Sequence, residues 1–457
     1  MNKKDLCYLS AADLGKMIKE RVISPLEVAK AYLERIELLE PTLNSFITIL
    51  SDEAVQTAKQ AEKEIMAGNY RGPLHGIPIA LKDLFYTKGV RTTSGSMPFD
   101  SYIPSYDSAI VARLKQAGAI VLGKLNMHPL AYGVTGENSE YGDMHNPWNP
   151  ELITGGSSGG SASAVAAGEC AIAMGSDTGG SVRIPGALCG IVGLKPTYGL
   201  LSTHGLTALS WSQDHPGPLT RTVRDCVLAM NVLTGGNYTT ALNSEINGIR
   251  IGIPKEFEKL PIDAEVKNTV AKAIDRLQEL GAVVTEVSWP LLGKSMAIAN
   301  TIQMSEATAY HSDLIKTCGS KLEETMRLSL EAGFFISAHD YLQAQRARVL
   351  FVRESIKMME AVDVIISPTT PVPAFKIGLK ACEVGGAKKH VVSLLTQYVR
   401  PFNVNGFPAI TVPCGYSQAG LPIGMQIAGR PFGEATVLQA AYAYEQNTDW
   451  GKRRPYC

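Results

Sequence analysis

From Gly76 onward, short apolar runs recur between helical stretches, and this alternation restricts the chain to few folds. Residues 77–81, 119–122, 249–253, 282–284, 362–366, 409–412 and 423–427 have the length and apolar content of buried strands. Between them, residues 109–116 carry helical spacing. So does the stretch from Asp263, with Val266, Val270, Ile274 and Leu277 on one face. Strands alternating with helices predict an α/β fold, a mixed β-sheet core covered by helices on both faces. The first seventy residues read as a helical segment. Ser24-Pro25-Leu26-Glu27 is a capping box with Pro at the first helical position, and Val28, Tyr32, Ile36 and Leu39 follow at helical spacing. Residues from about 290 to 400 break the rhythm with long helices and are expected to form a cap or pocket insertion. No repeat, low-complexity tract or Pro/Ser linker divides the 457 residues. Residues 1–457 are therefore expected to form one large domain, long enough to bury a core without staples.

Charge narrows the partners. Lys and Arg number 43, as do Asp and Glu, so the formal net charge is zero. A nucleic-acid or anionic-membrane footprint needs clustered excess Lys and Arg, so neither partner is expected. Eight cysteines are scattered without a C-x-x-C pair or a His at metal-ligand spacing, which fits a reducing cytosol and no metal site. The N-terminal residues carry no apolar signal core. The longest small-apolar stretch, 162–174, is broken by Glu169 and is shorter than the ~18–20 residues that span a bilayer. A cytoplasmic protein is expected.

One region departs from the rest. Thr154-Gly155-Gly156-Ser157-Ser158-Gly159-Gly160-Ser161 is followed, after mostly small residues, by Ser176-Asp177-Thr178-Gly179-Gly180-Ser181-Val182-Arg183. Glycine permits positive φ and the close approach of another group. Successive exposed amides in such a turn form a concavity for an anion. A serine at its edge is placed to attack a carbonyl whose oxygen those amides stabilise. A flexible linker does not fit, because the flanks are apolar and the pattern recurs within a strand-helix rhythm. Nor does a phosphate cradle. Gly118 to Lys124 spells G-x-x-x-x-G-K, but Leu125 replaces the Ser/Thr and the run crosses a predicted strand.

Two kinds of base remain open. The G-x-S-x-G elbow matches at 155–159 and 156–160 and calls for a downstream His, for which His204, His215, His311, His339 and His390 are available. Lys82 is the other candidate. It ends an apolar strand, where burial would lower its pKa from ~10.4 toward the ~7–8 useful to a general base. On local sequence alone, Lys82 reads better as a snorkelling side chain paired with Asp83.

Taken together these residues resemble the amidase signature family. The motifs are Gly76-Ile77-Pro78 with Lys82-Asp83, Gly123-Lys124-Leu125-Asn126-Met127, Glu137-Asn138-Ser139 and Asn146-Pro147-Trp148-Asn149. The two glycine-serine segments follow, then Cys189-Gly190, Gly193-Leu194-Lys195-Pro196-Thr197, Ser367-Pro368-Thr369-Thr370-Pro371 and Gly420-Leu421-Pro422-Ile423-Gly424. The resemblance covers nearly the whole chain and implies the amidase signature fold, with 76–197 as its core. It implies a Ser–cis-Ser–Lys triad: Ser181 as nucleophile, Ser157 as bridging serine after a cis bond from Gly156, and Lys82 as base. The amides of Thr178, Gly179, Gly180 and Ser181 would form the oxyanion hole. Asp177 and Arg183 would pair to hold the loop, and Ser158 would bond backbone. No metal and no cofactor are expected.

Substrate class is the remaining question. Glutaminase subunits of tRNA-dependent amidotransferases in this family carry Pro-Phe-Asp-Glu, whose Asp binds the glutamine amino group; here the stretch is Pro431-Phe432-Gly433-Glu434. Ile184 stands where they carry Gln, and their Tyr-Asp-Gly-x-Arg-Tyr-Gly segment is not found between 300 and 335. Loss of a buried charged partner would cost glutamine affinity. The expectation is therefore a stand-alone serine amidohydrolase that cleaves a small or aryl amide or carbamate, with urethane or ester hydrolysis included. Its partners would be that small molecule and a second copy in a homodimer. The alternatives are the glutaminase subunit of a tRNA-dependent amidotransferase, a His-dependent serine hydrolase or esterase, and a non-catalytic subunit. Tyr132 and Gly133 are expected in the substrate pocket. Met304, Tyr310, Phe334 and Phe335 read equally as pocket or core.

Overall fold

A computed structural model of the protein describes residues 3–455, so Met1, Asn2, Tyr456 and Cys457 lie outside the described residues. Eleven strands among the described residues form one sheet. In chain order they are β1 (Phe46–Ile49), β2 (Pro78–Lys82), β3 (Ile120–Leu125), β4 (Ile172–Asp177), β5 (Val192–Lys195) and β6 (His215–Thr220). Then come β7 (Arg250–Pro254), β8 (Val283–Val287), β9 (Val364–Pro368), β10 (Ala409–Tyr416) and β11 (Pro422–Gly429). Across the sheet the order is β1-β3-β2-β4-β6-β5-β10-β11-β9-β7-β8. β2 runs parallel to β3 and β4, and β7 runs parallel to β8 and β9. From β4 through β6, β5, β10 and β11 to β9 every pairing is antiparallel. The result is a single-domain α/β fold with a mixed sheet. β2, β4, β5, β6 and β11 are buried at every residue, as strands covered on both faces must be, whereas the edge strand β8 is largely exposed.

Helix α1 (Pro25–Leu43) starts at the capping box, with both reciprocal bonds formed between Ser24 and Glu27. It ends at Asn44 in the left-handed region, and the chain then enters β1 rather than a further helix. The first seventy residues thus contain an edge strand that helical periodicity does not reveal. α2 (Gly159–Ala167) contains only Gly, Ser, Ala and Val and is buried throughout. Such a helix has no polar face; its small side chains let it sink against β2, β4 and α3 (Arg183–Cys189). Beyond β8 lie α4 (Ser295–Tyr310), α5 (Glu324–Glu331) and α6 (Ala338–Met359), after which β9 returns to the sheet. No helix among the described residues is long and apolar enough to cross a membrane.

Candidate active site

The site begins with two neighbouring strands. β2 and β4 pair in parallel, with Leu81 opposite Met174, so their carboxyl ends open on the same side. Crevices at such ends are where α/β sheets bind ligands. Lys82 is the last residue of β2 and has no solvent exposure. Its Nζ donates to Ser157 Oγ at 2.7 Å and to Ser176 Oγ at 2.9 Å. Burial pulls the ammonium down to about 7, against the opposing pull of the Asp214 and Asp177 carboxylates. Asp83 is not its partner; it pairs with buried Lys124 at 3.0 Å. Lys124 lies within β3, which disposes of the phosphate-cradle reading.

Ser157 and Ser181 sit on the two glycine-rich turns, just ahead of α2 and α3. The Gly156–Ser157 peptide is cis. The turns meet where Ser158 N donates to Ser181 O at 3.2 Å. Ser158 Oγ donates to Ser176 O at 3.1 Å, so this side chain bonds backbone. Gly180 has φ of 113°, and a Cβ there would collide with Val399, so only glycine fits. Asp177 fastens the second turn. It takes two bonds of 2.9 Å from the Arg183 guanidinium, one of 2.7 Å from Asn403 and one of 2.9 Å from Gly180 N. Burial raises this carboxyl, but Arg183 and Asn403 outweigh it and hold the group well below the usual carboxylate range. The Gly180 amide is thus occupied. Among the described residues, the amides of Thr178, Gly179 and Ser181 find no acceptor within the protein. Thr178 Oγ1 donates to Asp214 Oδ1 at 2.6 Å, and burial pushes Asp214 up to about 6.

Above the turns lies a cavity of about 830 Å³. Ser181, Thr178 and Gly179 line it, together with Tyr132, Gly133 and Met304, but Lys82 and Ser157 do not. Tyr310, Phe334 and Phe335 lie outside it, and Phe335 is 89% exposed. The sequence reading missed Ser176, His128 and Arg400. Ser176 opened the second glycine-serine segment, but its role as a lysine partner depends on strand register. His128 and Arg400 line the cavity and had no local signal. Burial pulls His128 down to about 4, so it is neutral. Among the described residues no histidine side chain hydrogen-bonds Ser157 or Ser181. His215 binds the carbonyls of Gln213 and Asp177, His311 that of Ala208, and His390 caps a short helix.

A buried amine beneath two serine turns on a mixed sheet defines a class, α/β hydrolytic folds with lysine where a histidine is more usual. Residues 27–438 match the family model described as Amidase, and the chain belongs to that amidase signature family. It is 39% identical to the A-type subunit of glutamyl-tRNA(Gln) amidotransferase from Geotalea daltonii, over 98% of this chain and 99% of that one. The corresponding protein of Carboxydothermus hydrogenoformans, which bears the same name, is also 39% identical, over 99% of each chain. Among solved structures, one described as an amidase superposes with a TM-score of 0.90 at 32% identity, covering 96% of this chain and 99% of that one. The A-type amidotransferase subunit of Thermotoga maritima superposes at 0.82 and 33% identity, covering 97% of this chain and 96% of that one.

These relatives overturn two expectations. The stand-alone hydrolase of small or aryl amides and carbamates gives way to a chain similar along its whole length to an amidotransferase component. Carbamate or urethane hydrolysis gains no support. A partner set limited to a small molecule and a second copy, without nucleic acid, gives way as well. The physical reason lies in the cavity. Gly433 and Ile184, the two departures held to argue against glutamine, do not line it. Phe432 is 71% exposed, Glu434 binds Thr197 N, and Ile184 packs in an apolar cluster. A balanced net charge, likewise, bears on what this chain's own surface binds, not on what an assembly containing it binds.

Proposed function

We propose that the chain is the amide-hydrolysing subunit of a tRNA-dependent amidotransferase, freeing ammonia from the side-chain carboxamide of glutamine. The observation that carries this reading is the 39% identity to such subunits across both full lengths. In the mechanism, neutral Lys82 accepts a proton from Ser157. Ser157 accepts one from Ser181, whose Oγ attacks the carboxamide carbon. The amides of Thr178, Gly179 and Ser181 meet the oxyanion, each such donor being worth ~10²–10³ in rate. Ser157 then gives a proton to the departing nitrogen and regains one from Lys82, which is neutral again; the C–N bond breaks and ammonia leaves. Water repeats the sequence on the acyl-serine and releases glutamate. Glutamine as substrate is supported by the mixed charge of the cavity wall, where Arg400 shares the lining with Glu137, Asp143 and Glu323.

The test is ammonia release from glutamine by the protein assembled with its partner subunits and charged tRNA. Ser181→Ala and Lys82→Ala should each lower that rate at least ~10³-fold. Glutamine left intact by the complete assembly would refute the reading.

A further inference from the structure

Arg400 is a buried cation without a counter-ion among the described residues. It follows Val399 in the segment before β10, is 4% exposed and lines the cavity beside the Ser181 turn. A Cβ built on Gly179 would lie 2.8 Å from its Nη2 and 2.9 Å from its Nε, so this edge of the guanidinium faces the oxyanion turn. Its protein partners are neutral amides. Nη1 donates to Asn300 Oδ1, Nη2 donates to Gln303 Oε1 at 3.1 Å, and buried Nε has no partner. A guanidinium has five N–H donors, so three remain unused.

The other buried cations around the site are resolved differently. Arg183 is paired with Asp177 and Lys124 with Asp83. Burial strips Lys82 and Lys195 toward neutrality. Among the described residues no carboxylate forms an ion pair with Arg400. Asp177, which acts on it through space, is already bound by Arg183 and Asn403, and Tyr132 is a neutral phenol. Burial draws Arg400 down to about 10, so it keeps its charge at neutral pH. An unpaired buried charge is costly, and Arg400 lines the space that substrate enters.

We propose that Arg400 is a specificity-determining residue that binds a carboxylate on the acyl side of the substrate, through the donors left free by Asn300 and Gln303. The substrate class is then an amide whose acyl chain ends in, or carries, a carboxylate. This rests on the reading that Ser181 attacks a carboxamide, and it adds which end of the substrate is recognised and by what. Asn300 and Gln303 position the guanidinium from α4.

The experiment compares two amides of equal length, glutaric acid monoamide and pentanamide, with the full-length protein in its assembly. The native protein should favour the carboxylated amide in kcat/KM by roughly 10²-fold or more, since a polar site rejects a substrate that leaves its donors unpaired. Arg400→Gln should collapse that ratio toward one, mainly through KM, and Arg400→Lys should restore part of it. An unchanged ratio in a folded Arg400→Gln protein would overturn the proposal. If Arg400→Gln does not fold, the native protein decides: glutarate should compete with substrate and pentanoate should not, and equal competition overturns the proposal. Glutarate binding to Ser181→Ala by calorimetry separates the two readings. Retained hydrolysis in that variant defeats the Ser181 mechanism, whereas absent glutarate binding defeats only the role of Arg400.

Discussion

Activity should titrate with Lys82. The proposed base works only when neutral, and burial places its pKa at about 7. The neutral fraction is then roughly 10% at pH 6, half at pH 7 and roughly 90% at pH 8. kcat/KM for carboxamide hydrolysis should therefore rise about tenfold per pH unit below 7 and level off above 8. Asp214 complicates the acid limb, because it titrates at about 6 and anchors Thr178 at the oxyanion turn. Asp214→Asn removes that second ionisation and, because the Asp214 carboxylate holds the Lys82 pKa up, should move the inflection below 7. The assay is ammonia release under kcat/KM conditions from pH 5 to 9, with native, Asp214→Asn and Lys82→Ala proteins. Lys82→Ala should lower the plateau at least ~10³-fold and abolish the inflection near 7. A flat native profile, or the same inflection surviving in Lys82→Ala, would show that another group supplies the base.

Other outcomes follow from the same geometry. Lys82→Met should stabilise the fold while destroying activity. Holding this lysine at about 7 instead of 10.5 costs roughly 4 kcal/mol at pH 7, offset by ~1–3 kcal/mol for the Ser157 and Ser176 hydroxyls left unpaired. The sign is that of a base with depressed pKa: the cost is full below 7 and fades as pH rises to 10.5, so the Tm gain measured at pH 7 should shrink by pH 10. Asp177→Asn breaks a fully buried ion pair and should cost about 3–5 kcal/mol in denaturant unfolding. Gly433→Asp should leave KM for glutamine within twofold, because the residue lies outside the cavity; a large drop in KM would show that it reaches the substrate.

Much of the sheet was legible where its strands are apolar runs bounded by turn residues. The edge strand β1 and three central strands were not. β6 contains Pro216 and Pro218, residue types uncommon inside a central strand, yet it pairs on both sides. β4 is hidden in a run of small residues that alternation cannot mark, and β5 is only four residues long. At the site, the glycine-serine turns announced themselves through composition. What sequence could not supply was convergence. Ser176 reaches Lys82 because β2 and β4 share a register, and Arg400 reaches Gly179 across more than two hundred residues of chain. The substrate expectation failed for the same reason, since a motif difference carries weight only if it faces the cavity.

Lys82 lies under the cavity floor and never forms part of its wall. Whatever molecule enters can meet the serine but not the amine behind it. The chemistry and the choice of substrate are therefore held by separate parts of the protein. Changes in α4, α5 or the segment around Arg400 can retune which amide is accepted without disturbing how its bond is broken. A scaffold divided in this way is open to being re-aimed at new substrates by drift in its upper storey alone.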